Sequence, residues 1–282
     1  MKNLRYIYII FLLFTIYSLL SCGGKEPIEQ PKPKPLNISI LVDLSDRITK
    51  TTNNVEQQEK DIELILHIVN SMKEKVISSK FVCQDKFQIL FYPEPQLDSI
   101  AEISANLRFD MHCKTLKERP LLKQKLKSLD SLFSTNLNSI YHQTKVTKKW
   151  SGSDIWGFFE NKAHEYCIKE GYRNVLIILT DGYIYDKNNK RKKDNKYTYI
   201  LPEVLRDNPN ARLLNPFEKN SKLDQLDVLI LELNPNPQNH EKLLKTILQE
   251  WLDEMGVNKH KVLTTDLPSN IKPLIDDFIF NK

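Results

Sequence analysis

Glycine is scarce, at 7 of 282 residues, so the chain offers no glycine-rich loop whose bare backbone N–H groups would cradle a phosphate. Histidine is equally unhelpful. His67, His112, His142, His164, His240 and His260 show no close metal-ligand spacing, and none joins a serine and an acid in a recognisable nucleophile elbow. They read as surface or core residues. No internal repeat is evident, and the longest apolar run is shorter than the ~20 residues that normally cross a bilayer. The net charge of +5 includes a cationic leader and one lysine-rich segment, so a nucleic-acid partner is not expected.

What is present is ordinary globular material, 40% hydrophobic and 27% charged, able to bury a core of its own. The most specific local signal is at the N-terminus. Lys2 and Arg5 precede an apolar run from Tyr6 to Leu20, and Leu19-Leu20-Ser21-Cys22-Gly23 follows at the position of a cleavage site. This arrangement resembles a bacterial lipobox, which implies removal of residues 1–21 and lipidation of Cys22. Residues 22–36, with Pro27, Pro31, Pro33 and Pro35 among Lys, Glu and Gln, cannot build a core and read as a stiff tether. The implied location is the bacterial cell envelope, lipid-anchored. Gly23 is not the Asp that retains some lipoproteins at an inner membrane, so the outer membrane is favoured where two membranes exist.

Residues 37–282 alternate strand and helix patterns. Strands are expected at the Asn37 segment, Phe87–Tyr92, Leu107–Met111, Asn174–Asp181, Leu226–Leu233 and Lys261–Thr264. Helical spacing predicts helices over Val55–Val76, Leu121–Ile140, Ser153–Glu170 (ending at Gly171), His240–Met255 and Ile271–Phe280. The fold class expected is a three-layer α/β domain around a mostly parallel, doubly wound, six-stranded sheet. Phe87–Tyr92 and Leu107–Met111 are expected to pair as a hairpin at one edge. Leu121–Ile140 looks heptad-like, but too few heptads are present for a coiled coil. Tyr183–Tyr199 carries Lys187, Lys190, Arg191, Lys192, Lys193 and Lys196, which reads either as a solvated loop or as a basic rim steering an anionic partner.

The chain is organised around its first strand, which runs into Asp43-Leu44-Ser45-Asp46-Arg47. Strand carboxyl ends line the ligand crevice of open α/β sheets. Two later stretches answer to it: Gly152-Ser153-Asp154-Ile155, and Thr180-Asp181-Gly182 after the fourth strand. In this order they resemble the von Willebrand factor A family, across roughly residues 37–280, with Arg47 standing where the family's second serine belongs. The resemblance implies strand order 3-2-1-4-5-6 with strand three antiparallel. It also implies a metal-bridged adhesion site that captures a protein or envelope ligand, the partner supplying an acidic residue.

Independently of any family, Asp43, Ser45, Ser153 and Asp181 offer two carboxylates and two hydroxyls from three loop tips, a donor set suited to Mg²⁺ or Mn²⁺. Each alone could cap a helix or tie down a turn. Asp46, Arg47 and Asp154 are placed to modulate the site. Arg47 either points inward and neutralises the acids or points outward, and Asp46 could hold it there. The alternative function is a metal-assisted phosphoesterase using Asp43, Asp181 and Asp266. Among the remaining cysteines, Cys83 and Cys113 fall where an antiparallel hairpin brings strand start and strand end together, so a disulfide is possible, while Cys167 reads as a buried thiol.

Overall fold

The computed structural model describes residues 33–52, 55–95, 97–113, 115–150, 152–217 and 223–281. Its sheet strands are β1 (Leu36–Val42), β2 (Lys86–Phe91), β3 (Arg108–Asp110), β4 (Arg173–Leu179), β5 (Leu226–Leu233) and β6 (Lys259–Thr264). β1 and β5 are buried throughout and β4 nearly so, as runs rich in Ile, Leu and Val must be when parallel strands are covered on both faces. The spatial order is β3-β2-β1-β4-β5-β6. All neighbours are parallel except β2 and β3, which run antiparallel at one edge. This is the doubly wound, mostly parallel α/β sheet expected from the alternation of elements.

The helices are α1 (Gln57–Ser78), α2 (Asp98–Ala105), α3 (Arg119–Thr147), α4 (Ile155–Asn161), α5 (Ala163–Cys167), α6 (Pro202–Asp207), α7 (Glu241–Glu254) and α8 (Pro268–Phe280). Successive strand side chains point to opposite faces. Ile38, Ile40, Ile177 and Leu229 accordingly pack with α1, α3 and α8, while Leu41, Leu176, Ile178 and Ile230 pack with Trp156, Phe159 and Trp251 of α4 and α7. The register sets Val42 of β1 level with Leu179 of β4. Whatever follows those two residues emerges side by side.

Three expectations are corrected. The single helix over Ser153–Glu170 is two short helices. They break at Lys162, after which Ala163 and Cys167 turn under the sheet, and the chain is extended by Ile168. Gly171, at φ +79°, therefore serves the turn into β4 and caps no helix. The lysine-rich segment is more than a loop: Lys192–Lys193, Lys196–Tyr197 and Arg212–Leu213 form a small three-stranded sheet, and Ile184, Tyr197 and Ile200 anchor it in the core. Between β2 and β3 lies an unanticipated helix, α2. No helix among the described residues is long and apolar enough to cross a membrane. The expected leader, Cys22 and most of the tether lie outside the described residues.

Candidate functional site

Asp43 is the first residue beyond β1, and its N–H prolongs the sheet ladder by donating to the Leu179 carbonyl at 3.0 Å. The carboxylate is buried. Its Oδ1 accepts the Ser45 N–H at 2.8 Å, closing a tight turn, and its Oδ2 accepts the Thr180 hydroxyl at 2.9 Å. Burial, with the Asp181 charge, pushes the Asp43 carboxyl up to about 6 against the opposing pull of Arg47.

After the turn, a 3₁₀ segment (Asp46–Thr49) carries Asp46 outward to solvent and Arg47 inward, where the arginine is 1% exposed. Asp46 does not hold Arg47. The guanidinium donates from Nε to the Asp43 carbonyl at 3.0 Å and from its two terminal nitrogens to Asp61 of α1, the closer at 2.7 Å. Its Nε also lies 3.7 Å from Asp43 Oδ2. Asp61 is fully buried and accepts two further bonds, from the Tyr141 hydroxyl at 2.6 Å and from Gln57 Nε2 at 2.9 Å. Gln57 passes the network on to Glu232. A bidentate arginine–carboxylate pair so enclosed has little freedom to swing out. Its two acids keep the Arg47 pKa above its ordinary value despite burial.

Asp181 follows β4 by two residues and meets a second cation. Lys50, just past the 3₁₀ segment, places Nζ 2.7 Å from Asp181 Oδ2, while Oδ1 accepts the Tyr183 N–H at 3.2 Å. The Lys50 side chain is 31% exposed. Gly182, at φ +97°, takes a conformation that L side chains rarely adopt, and a Cβ there would stand 2.2 Å from Leu233 Cδ1. A side chain in the turn after Asp181 would thus be strained and would press on Leu233.

The third loop joins this group through backbone pairing. Ser153 bridges Tyr185, exchanging N–H···O bonds of 3.2 and 2.9 Å, which ties it to the segment leaving Asp181. The Ser153 hydroxyl is buried and has no hydrogen-bond partner among the described residues. Asp154 is the α4 N-cap: its Oδ1 accepts the Gly157 N–H at 2.8 Å and Asn189 Nδ2 at 2.9 Å. Gly157 leaves room for that cap, since a Cβ there would lie 2.2 Å from Asp154 Oδ2.

The structure therefore gathers Asp43, Ser45 and Asp181 and links Ser153 to them, but it does not leave an open oxygen cage. Both Asp43 oxygens accept protein hydrogen bonds, Asp181 is held by Lys50, and Arg47 sits behind Asp43. A hard divalent cation needs several free oxygens, and in this arrangement the carboxylate oxygens of Asp43 and Asp181 are already engaged by protein donors, which leaves the hydroxyls of Ser45 and Ser153. The expected Mg²⁺ or Mn²⁺ does not fit the donors as they stand. No group of three or more His, Cys, Asp or Glu is placed to hold a metal among the described residues.

Asp266 is not brought to the pair. It follows β6, two strands beyond β4, and its Oδ1 accepts the Leu267 N–H at the start of its own helix. Two clefts of about 210 and 570 Å³ lie along the β2–β3 edge, and neither is lined by Asp43, Lys50 or Asp181. Lys50 and Asp61 were not singled out from the sequence. Asp61 had a signal: it stands four residues before Ile65 on the stripe that α1 buries. Lys50 had none, because it lies in a polar turn seven residues past Asp43.

At the edge, Cys83 and Cys113 face one another as an isolated antiparallel bridge. Both are free thiols, as is Cys167. Burial, with Asp85 nearby, pushes the Cys83 thiol up to about 11.

No protein-family model matches the chain, and no curated protein sequence matches it. Among solved structures it is similar to the pilus adhesin SpaC from Lactobacillus rhamnosus GG, with 9% identity and a TM-score of 0.45, covering 89% of this chain and 31% of the adhesin. This chain thus spans about a third of that protein's length.

Proposed function

We propose that the protein is a binding module of von Willebrand factor A type, tethered to the bacterial envelope through Cys22, that captures a protein or other envelope ligand on the loop face around Asp43 and Asp181. The observation that carries this reading is the convergence of three loops at adjacent strand ends. Asp43 and Asp181 leave β1 and β4 side by side, and Ser153, whose hydroxyl has no partner among the described residues, is bridged to the loop after Asp181. Buried polar atoms are normally satisfied, so an orphaned hydroxyl at such a face is consistent with a hydrogen bond completed by a ligand. The face is built from fixed turns rather than as an enclosed chamber, which suits contact with a macromolecular surface.

The test is capture from an envelope extract by photocrosslinking, using the full chain, its Asp181→Asn variant, and a control variant at the opposite end of the sheet, Lys259→Ala. The reading expects one species to be captured by the wild type and the control and lost in Asp181→Asn. Capture that survives Asp181→Asn but is lost in the control would move the binding surface to the other end. Hydrolysis of a generic phosphoester by the wild type, abolished in Asp181→Asn, would replace the binding reading with an enzymatic one.

A further inference from the structure

We infer that the cation of this site belongs to the chain itself: the Lys50 ammonium, backed by Arg47, occupies the electrostatic role of a divalent metal, and the face engages its ligand without one. The inference rests on the functional reading above for the location of the face, but not for its test.

Four observations carry it. First, Lys50 Nζ lies 2.7 Å from Asp181 Oδ2, so the Asp181 carboxylate already has its counter-charge. Second, the Arg47 guanidinium lies behind Asp43 and is held there by buried Asp61, which is itself held by Tyr141 and Gln57. A charge fixed in that way cannot be moved aside as a surface arginine could, but its pairing with Asp61 at 2.7 Å neutralises much of it, so it weakens the hold of Asp43 on a dication while Lys50 is the cation that excludes one from Asp181. Third, the two Asp43 oxygens already accept hydrogen bonds from Ser45 and Thr180. Fourth, an ammonium has three N–H donors. Only the bond to Asp181 is made among the described residues, while about a third of the Lys50 side chain faces solvent. The two remaining donors are available to an oxygen acceptor on the ligand, an anionic oxygen being the best match for an ammonium. Lys50 is thereby both the resident cation and a contact residue.

The test needs no knowledge of the ligand. The full chain and its Lys50→Met and Lys50→Met/Asp181→Asn variants are titrated with Mn²⁺, and the free-ion electron paramagnetic resonance signal is followed, circular dichroism confirming that each variant is folded. Lys50 is partly exposed and lies at the end of a turn, so Lys50→Met is expected to fold. The wild type should leave the signal unchanged. Lys50→Met, with Asp181 released, should take up Mn²⁺ with affinity improved by more than about tenfold, the consequence of removing a unit charge within ~4 Å of the ligand oxygens, and the double variant should lose that uptake. One equivalent taken up by the wild type would overturn the inference. So would an absence of uptake by Lys50→Met, since the lysine would then not be what stands in the metal's place. These readings do not depend on partner capture. If a partner is captured, capture abolished by a chelator overturns metal independence while leaving the binding function intact.

Discussion

Arg47 links the surface turn to the interior, and its removal should be felt as stability before it is felt as binding. Arg47→Ser leaves Asp61 and Asp43 buried without their cation, and breaking one side of a buried pair costs about 3–5 kcal/mol. Urea unfolding should show a midpoint lowered accordingly, whereas Lys50→Met at the partly exposed pair should change it by less than about 1 kcal/mol. The same network ends in Glu232, a residue at φ +66° beside a register shift in β5, whose Oε2 accepts the Thr265 hydroxyl and Gln57 Nε2. Burial first, then the Asp61 charge, raises the Glu232 pKa, against Thr265, Gln57 and Lys60. The folded state thus binds this proton more tightly than the unfolded chain. The stabilisation is complete below the unfolded value and is lost as pH rises through the folded one. Glu232→Gln should flatten the decline in unfolding free energy above the ordinary glutamate value of 4.5 relative to wild type, and an unchanged slope in the variant would assign the decline to other groups. Of this network only an inward Arg47, as one of two orientations, was legible beforehand, together with the place of Asp61 on the buried stripe of α1. Its members are scattered over β5, α1, α3 and the 3₁₀ turn, and only the fold brings them together.

At the level of elements, β1, β4 and β5 were legible because each contains an unbroken stretch of branched apolar residues, at 40–42, 175–179 and 228–231. Their order followed from the resemblance together with the alternation of strand and helix. The continuous helix over Ser153–Glu170 failed for a physical reason. Ile155 to Phe159 are all buried at consecutive positions, a pattern wider than one helical stripe, and a break was the way to place Ala163 and Cys167 beneath the sheet as well. The antiparallel β2–β3 edge makes its own prediction. Cys83 and Cys113 form a hydrogen-bonded antiparallel pair, with N–H···O bonds of 3.4 and 3.0 Å. Such pairs stand ~5.5 Å apart at Cα, within disulfide reach. A raised Cys83 pKa keeps the nucleophilic thiolate scarce at neutral pH. Oxidation should therefore be slow near pH 7 and accelerate at pH 9, and a thiol count after denaturation should fall by two, a loss absent in Cys83→Ser.

For the whole molecule, the lipobox reading predicts that Cys22→Ser abolishes metabolic labelling with fatty acid, while labelling that persists in the variant excludes Cys22 as the lipidated residue. The two borders of the central sheet bear on how many such molecules can coexist on one surface. β3 has only three residues, and β6 opens with Lys259, His260 and Lys261. An unpaired strand recruits another chain when it is long, flat and apolar. Here one border is too short to template a partner strand and the other brings like charges face to face, so copies held at high local density would resist fusing edge to edge into continuous sheet.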